Sequence, residues 1–231
     1  MKKTVIMMLA ILTVATFASA QDYKQAAKNK AIEVQFAPLG GSPISIGGLM
    51  FRMYSSETKA MRANIFLGIA NSTKVTAQKN NPTDSLEQKT KMSSIEFGLM
   101  PGMEMHMAGT DRLSPYWGAG IDFGIKMATK KEEMAVADAT TGKFALQTLT
   151  TKGDGGWVRF GLGAFFGCDY FFAKKIYVGA ECGLGFGLTK MSTIKKTTTV
   201  SGAPAIADEK QGSEMNFGPT VNSKLRVGWV F

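Results

Sequence analysis

His106 is the only histidine in the chain, which excludes multi-histidine metal sites and weakens the case for a Ser-His triad. A multi-histidine metal site cannot be built from it. An enzyme of acyl or lipid chemistry would need a convergent Ser-His-acid set, and none can be assembled from the order of the residues alone. His106 lies within Met105-His106-Met107, with Met100 and Met103 nearby. Thioethers around an imidazole suit a soft metal, but methionine is also common filler at an apolar rim, so no metal is expected. The run Gly183-Leu184-Gly185-Phe186-Gly187 lacks the lysine and the helix that complete a phosphate loop. We expect no catalytic residue, no cofactor and no enzyme activity.

The charged residues carry more information. Lys and Arg number 27 against 18 Asp and Glu, a formal net charge of +9, and two of the lysines, Lys2 and Lys3, belong to the leader described below. There is no basic block and no aromatic-basic interleaving of the kind that nucleic-acid binders show. Instead, single charges sit at intervals in apolar stretches. The acidic ones are Glu33, Glu96, Glu104, Asp122, Asp169 and Glu181; the basic ones are Arg52, Arg62, Lys126, Arg159, Lys224 and Arg226. The two signs nearly balance, as a confined network requires, because an unpaired buried charge is costly.

The elements that must position these charges are strands. Between residues 158 and 170, Val158, Phe160, Leu162, Ala164, Phe166, Cys168 and Tyr170 alternate with Arg159, Gly161, Gly163, Phe165, Gly167 and Asp169. The same period-2 pattern, the mark of a strand between two environments, runs through 176–188 and 117–127. Weaker copies lie at 32–36, 49–54, 61–69, 95–100 and 221–231, which completes eight strands. The longer ones reach the roughly 9 to 11 residues that a tilted membrane strand needs. The 95–100 pattern falters at Pro101-Gly102, where a bend or the end of the strand is expected.

The N-terminus reads as an export signal. Met1-Lys2-Lys3, an apolar stretch from Val5 to Phe17 and the small-x-small site Ala18-Ser19-Ala20 predict a signal peptide over 1–20, cleaved after Ala20. Residues 21–30 follow as a short periplasmic segment, and 31–231 as one barrel domain. No later stretch offers the roughly 18 consecutive apolar residues of a membrane helix. A chain like this can cross a membrane only as a closed sheet.

The connections alternate in length. Those near 55–60, 105–115 and 171–175 are short; 71–92, 128–156 and 189–215 are long, polar and rich in Thr and Lys. Short periplasmic turns and long extracellular loops are the outer-membrane pattern. The first outer connection, Leu39-Gly40-Gly41-Ser42, breaks it by being short. In the third, Met134 to Ala137 and Phe144 to Leu149 flank Thr140-Thr141-Gly142, so that hairpin is expected to continue above the membrane.

A soluble barrel could alternate as well, with its apolar face inward. Here the glycines share a phase with the charges, Gly161, Gly163 and Gly167 with Arg159 and Asp169, and Gly183, Gly185 and Gly187 with Glu181. An eight-strand interior is just wide enough for side chains, which places the small and charged phase inside; glycine serving strand curvature is the other reading. Tyr116 with Trp117, Phe171 with Phe172, and Trp229 with Phe231 are expected in an aromatic girdle at the periplasmic end, with Trp157 near the outer rim. Cys168 should stand across from Ala180 or Val178, out of register with Cys182, so both are expected as free thiols.

At the C-terminus, Lys224-Leu225-Arg226-Val227-Gly228-Trp229-Val230-Phe231 resembles the terminal strand of bacterial outer-membrane proteins. That resemblance implies recognition of Trp229 and Phe231 by the barrel-assembly machinery. The plan of the mature chain resembles the small OmpA/OmpX-type barrels, the standard case of an eight-strand barrel filled by side chains. Phe36-Ala37-Pro38-Leu39-Gly40-Gly41 and Leu113-Ser114-Pro115-Tyr116-Trp117-Gly118-Ala119-Gly120 are similar to uncharacterised outer-membrane β-barrel proteins of Bacteroidetes-type bacteria. The expectation is an all-β, transmembrane, antiparallel up-and-down barrel in the bacterial outer membrane, monomeric and held in lipid. Its loops 71–92, 128–156 and 189–215 would serve envelope integrity, adhesion or an extracellular ligand or host surface. A narrow pore or small-ligand carrier is the alternative.

Overall fold

The computed structural model describes residues 23–37, 45–81, 84–137, 144–199 and 206–231. The leader at 1–20, the connection at 39–42 and the tip Thr140-Thr141-Gly142 lie outside the described residues. Ten strands follow in order: β1 Lys30–Ala37, β2 Ser45–Tyr54, β3 Lys59–Asn81, β4 Asp84–His106, β5 Leu113–Ala137, β6 Phe144–Lys152, β7 Trp157–Ala173, β8 Ile176–Met191, β9 Lys195–Thr198 and β10 Ser213–Val230.

The ladder runs β4-β3-β2-β1-β10-β8-β7-β5, and β5 pairs back onto β4. Eight strands therefore close a ring, every one antiparallel to its neighbours, and β1 against β10 is the seam between the two ends of the chain. Closure leaves no unpaired strand edge in the ring. The two remaining strands stand outside it: β6 pairs with the far part of β5, from Thr129↔Lys152 to Ala137↔Phe144, and β9 pairs with β6. The closed ring has a turn end, with tight connections after β2, β4 and β7, and a hairpin end.

Two expectations need correction. β4 does not stop at Pro101 but continues to His106. Pro101 keeps its place opposite Ala63 on β3, while the β4–β5 ladder lapses at Met100 and Pro101 and resumes at Gly102↔Gly120. A proline inside a strand costs one donor, and a local gap in one ladder absorbs it. The long connections are also less loop-like than their composition suggested. The β3–β4 ladder extends to Asn81↔Asp84, so most of 71–92 is paired backbone, and strand likewise fills much of 128–156. Polar side chains do not forbid a ladder, since pairing satisfies N–H and C=O groups whatever the side chains are, and Thr73, Val75 and Thr90 favour extended backbone.

Alternation decides the two faces. The phase carrying the charges is buried, and the other phase is exposed around the ring, for example Ile65, Leu67, Phe97, Phe123, Leu162 and Leu184. The glycines of the buried phase have a packing reason. Gly228 lies opposite Tyr177, Gly167 opposite Tyr116, and Gly118 opposite Phe165, and each ring lies over its glycine so closely that a Cβ there would collide with it. Large side chains fit a narrow lumen because their cross-strand partners have none. Cys168 faces Ala180 and Cys182 faces Phe166, and both thiols are free.

The turn end is capped from within. Ala31, Tyr54, Ala60, Phe171, Tyr177 and Val230 form an apolar cluster there, with Tyr23 packed against it. Residues 23–29 cross this end as a strap. Lys28 N–H donates to the Tyr54 carbonyl (2.8 Å), Arg112 donates to the Tyr23 hydroxyl (3.1 Å), and Lys175 Nζ donates to Asn29 Oδ1 (2.7 Å).

Candidate functional site in the barrel lumen

Above the apolar cap the lumen holds a dense ionic layer. Seven strands of the ring contribute: Glu33 from β1, Arg52 from β2, Arg62 from β3, Glu104 from β4, Asp169 from β7, Glu181 from β8 and Arg226 from β10 supply the charges, and all seven are buried. Arg52 is the hub. Its Nη1 donates to Asp169 Oδ2 (2.5 Å), its Nε lies 3.3 Å from Glu104 Oε1, and its Nη2 lies 3.5 Å from Glu33 Oε2. Arg62 grips Glu181 with two parallel contacts, 2.6 and 3.1 Å, and also reaches Glu104 at 3.0 Å. Arg226 bridges Asp169 (3.1 Å) to Glu33 and Glu181 (3.5 Å each). No carboxylate of the layer serves a single guanidinium.

Phenols finish the layer. Tyr116 donates to Glu181 Oε2 (3.0 Å) and Tyr177 donates to Glu33 Oε2 (3.1 Å), while the Arg52 guanidinium lies 5.1 and 5.5 Å from the centres of those two rings. The Arg62 guanidinium lies 3.4 Å from the centre of the Phe165 ring. Cations over ring faces and bidentate pairs are the strong forms of these contacts.

The expected network does not form one body. Asp122 and Arg159 pair with each other (2.7 Å) toward the hairpin end, where their side chains are 23% and 40% exposed. Glu96 stands across the ladder from Lys126, also in that half. The reason is spacing: Asp122 lies eight residues along β5 from Ser114, and Arg159 ten residues along β7 from Asp169, too far along a strand at ~3.3 Å per residue for contact. The side chain of Lys224 lies outside those described. Trp229 and Phe231 point outward, with ring centres 5.5 Å apart. Two aromatic assignments are corrected: Tyr116 and Phe171 are fully buried in the lumen, since neighbours on a strand face opposite ways, and only Trp117 keeps the exposed position expected of that pair. Trp157 also turns inward, its ring 4.9 Å from the Arg159 guanidinium.

The fold also assembles what the sequence did not offer, a Ser-His-acid contact set. His106 Nδ1 lies 2.9 Å from Ser114 Oγ, and His106 Nε2 lies 3.3 Å from Glu104 Oε2. The β4–β5 turn folds Ser114 back beside His106, a proximity that spacing in the chain does not announce. All three side chains are buried. Gln25 of the strap lies over the set, donating to Ser114 Oγ (3.1 Å) with its Nε2 3.3 Å from His106 Nδ1. Ser114 is 2% exposed, and Glu104 is already held by Arg52 and Arg62.

Beyond the ionic layer the lumen opens. Two adjoining cavities of about 510 and 240 Å³ occupy the half nearer the hairpins, and Met100, Asp122 and Arg159 border both. The larger owes its space to Gly161, Gly163, Gly185 and Gly187, which line it without side chains.

No protein-family model and no curated protein matches the chain. Solved structures similar to it include CarO2 of Acinetobacter baumannii, with a TM-score of 0.39 and 10% identity over 90% of this chain and 100% of that one. CarO of the same organism has a TM-score of 0.32 and 13% identity over 89% of this chain and 97% of that one.

Proposed function

We propose that this chain is a monomeric, non-enzymatic outer-membrane barrel, shut at its periplasmic half and working through the hairpins that it holds outside the cell. The observation that carries the reading is its inverted sidedness. Glu33, Arg52, Arg62, Asp169, Glu181 and Arg226 are buried while Leu67, Ile69, Leu162, Phe166 and Leu184 are exposed around the ring. An apolar belt on all sides of a soluble monomer would far exceed the few hundred Å² such surfaces tolerate; in a bilayer it is the required surface.

The export signal at 1–20 and the aromatic end at Trp229 and Phe231 fit this location, the latter as the feature read by the assembly machinery. The turn end with its strap then faces the periplasm, and the β3–β4 hairpin and the β5–β6–β9 extension face outward. These hairpins are the surface we assign to envelope integrity, adhesion or contact with a host. Glu104, His106 and Ser114, sealed under Gln25, serve closure in this reading.

The belt is tested by Leu162→Arg in vesicle-refolded protein. Arginine near the bilayer midplane costs about 2–4 kcal/mol, whereas exposed leucine in water tolerates it. No loss of stability would overturn the membrane reading. The hollow outer half favours a second reading, a narrow pore or small-ligand carrier. Planar-bilayer recordings separate the two: the closed barrel gives no steady conductance, and a reproducible open level supports the pore.

A further inference from the structure

We infer that the outer half of the lumen is a binding cup for a small neutral polyhydroxylated molecule of the size of a hexose. Two buried amides at this cavity are left without partners. Gln35 is 1% exposed and borders the smaller cavity, yet neither its Nε2 nor its Oε1 has a hydrogen-bond partner. Asn64 borders the same cavity, and its buried Oδ1 is likewise unpartnered. Buried amide groups are almost always satisfied, and each one left open costs about 1–3 kcal/mol. Two such side chains at one cavity mark a place where hydrogen bonds are to be supplied from outside.

The chemistry of the lining selects the class. Asp122 and Arg159 neutralise each other, and Glu96, which also borders the smaller cavity, stands across the ladder from Lys126, so each charge of that lining stands beside or across from one of the other sign. The open groups are amides, which both donate and accept, and hydroxyls do the same. Trp157 and Phe66 supply apolar faces in the same cavity. The indole is seated by Gly124, where a Cβ would meet its ring at 2.8 Å. Aromatic faces beside amides, one ion pair and the hydrogen-bond-accepting Glu96 carboxylate suit a ligand with an apolar face and a rim of hydroxyl groups. The adjoining volume falls within the few hundred Å³ of ordinary small-molecule sites. Arg159 and Asp122 reach solvent and border both cavities, which makes them the entry. That the entry faces the cell exterior rests on the proposed function; the cup itself does not.

The chain has three tryptophans, and Trp117 and Trp229 lie on the outer face. Refolded Trp117→Phe/Trp229→Phe protein in detergent therefore reports from Trp157 alone. Titration with glucose, galactose and N-acetylglucosamine should give a saturable fluorescence change with at least one of them, with Kd in about the millimolar range. Gln35→Leu should weaken it tenfold or more, and so should Arg159→Gln, whose partly exposed site spares the fold if the first variant does not refold. No saturable change with any of the three sugars, or equal affinity in the variants, overturns the inference and assigns ordered water to the amides. Tighter binding of free lysine or glutamate than of every sugar overturns the neutral class. Because the titration needs no bilayer, it can fail while the Leu162→Arg test succeeds, and the reverse.

Discussion

Replacing Arg52 by methionine tests whether the ionic layer is one energetic unit. The side chain is fully buried and touches Asp169, Glu104 and Glu33, with the Tyr177 and Tyr116 hydroxyls at 3.3 and 3.4 Å. Methionine fills most of the volume but leaves Glu33, Glu104, Asp169 and Glu181 facing only Arg62 and Arg226. Removing one member of a buried ionic group costs about 3–5 kcal/mol, because charge is stranded away from water. The matched control is Asp122→Asn, which breaks a 2.7 Å pair that solvent reaches, and pairs of that kind contribute about 0–1 kcal/mol. The assay is urea unfolding of refolded protein in vesicles, followed by tryptophan fluorescence. With a slope of about 2 kcal/mol per molar urea, Arg52→Met should lower the midpoint by roughly 1.5–2.5 M, and Asp122→Asn by less than about 0.5 M. Adding Asp169→Leu to Arg52→Met removes one stranded carboxylate and should recover part of the loss. Equal midpoints for Arg52→Met and Asp122→Asn would refute the reasoning and reduce the layer to independent pairs.

Three further outcomes follow from the same geometry. Gly228→Ala places a Cβ into the Tyr177 ring, which Phe171 backs with ring centres 5.2 Å apart; overpacking there should cost about 1–3 kcal/mol, while Gly187→Ala, with nothing within 4 Å of the new atom, should leave the urea midpoint in place. Tyr116→Phe deletes the 3.0 Å bond to Glu181, and the loss of a hydrogen bond to a charged group should appear as about 1.5–3 kcal/mol in the same assay. Phe231→Ala removes an exposed ring, so refolded stability should change by less than about 0.5 kcal/mol; in cells the amount of folded barrel recovered from the outer membrane should fall, and unchanged recovery would detach this ring from assembly.

The strands were legible because a barrel wall separates two environments, and a period of two records that separation residue by residue. Val158 to Tyr170 carries it without a break, and eight such segments imply a ring. Pro101 reads locally as a break because a proline lacks a donor, whereas pairing with β3 carries the strand past it. The Thr- and Lys-rich stretches misled because composition reports on solvent, whereas pairing depends on the backbone.

By itself the sequence determined which face each residue would take, since a side chain's phase is local and each strand offers only two sides. Glu33, Arg52, Arg62, Asp169, Glu181 and Arg226 fall in one phase on that ground. Only the tertiary structure decided which charges meet, because depth along the lumen depends on the register between strands distant in the chain. Register divided the charges into a sealed layer around Arg52 and the solvent-reached pair Asp122–Arg159. It also set the Tyr116 ring over Gly167 and the Trp157 ring against Gly124, joined His106 to Ser114 beneath Gln25, and left the amides of Gln35 and Asn64 facing an open cavity.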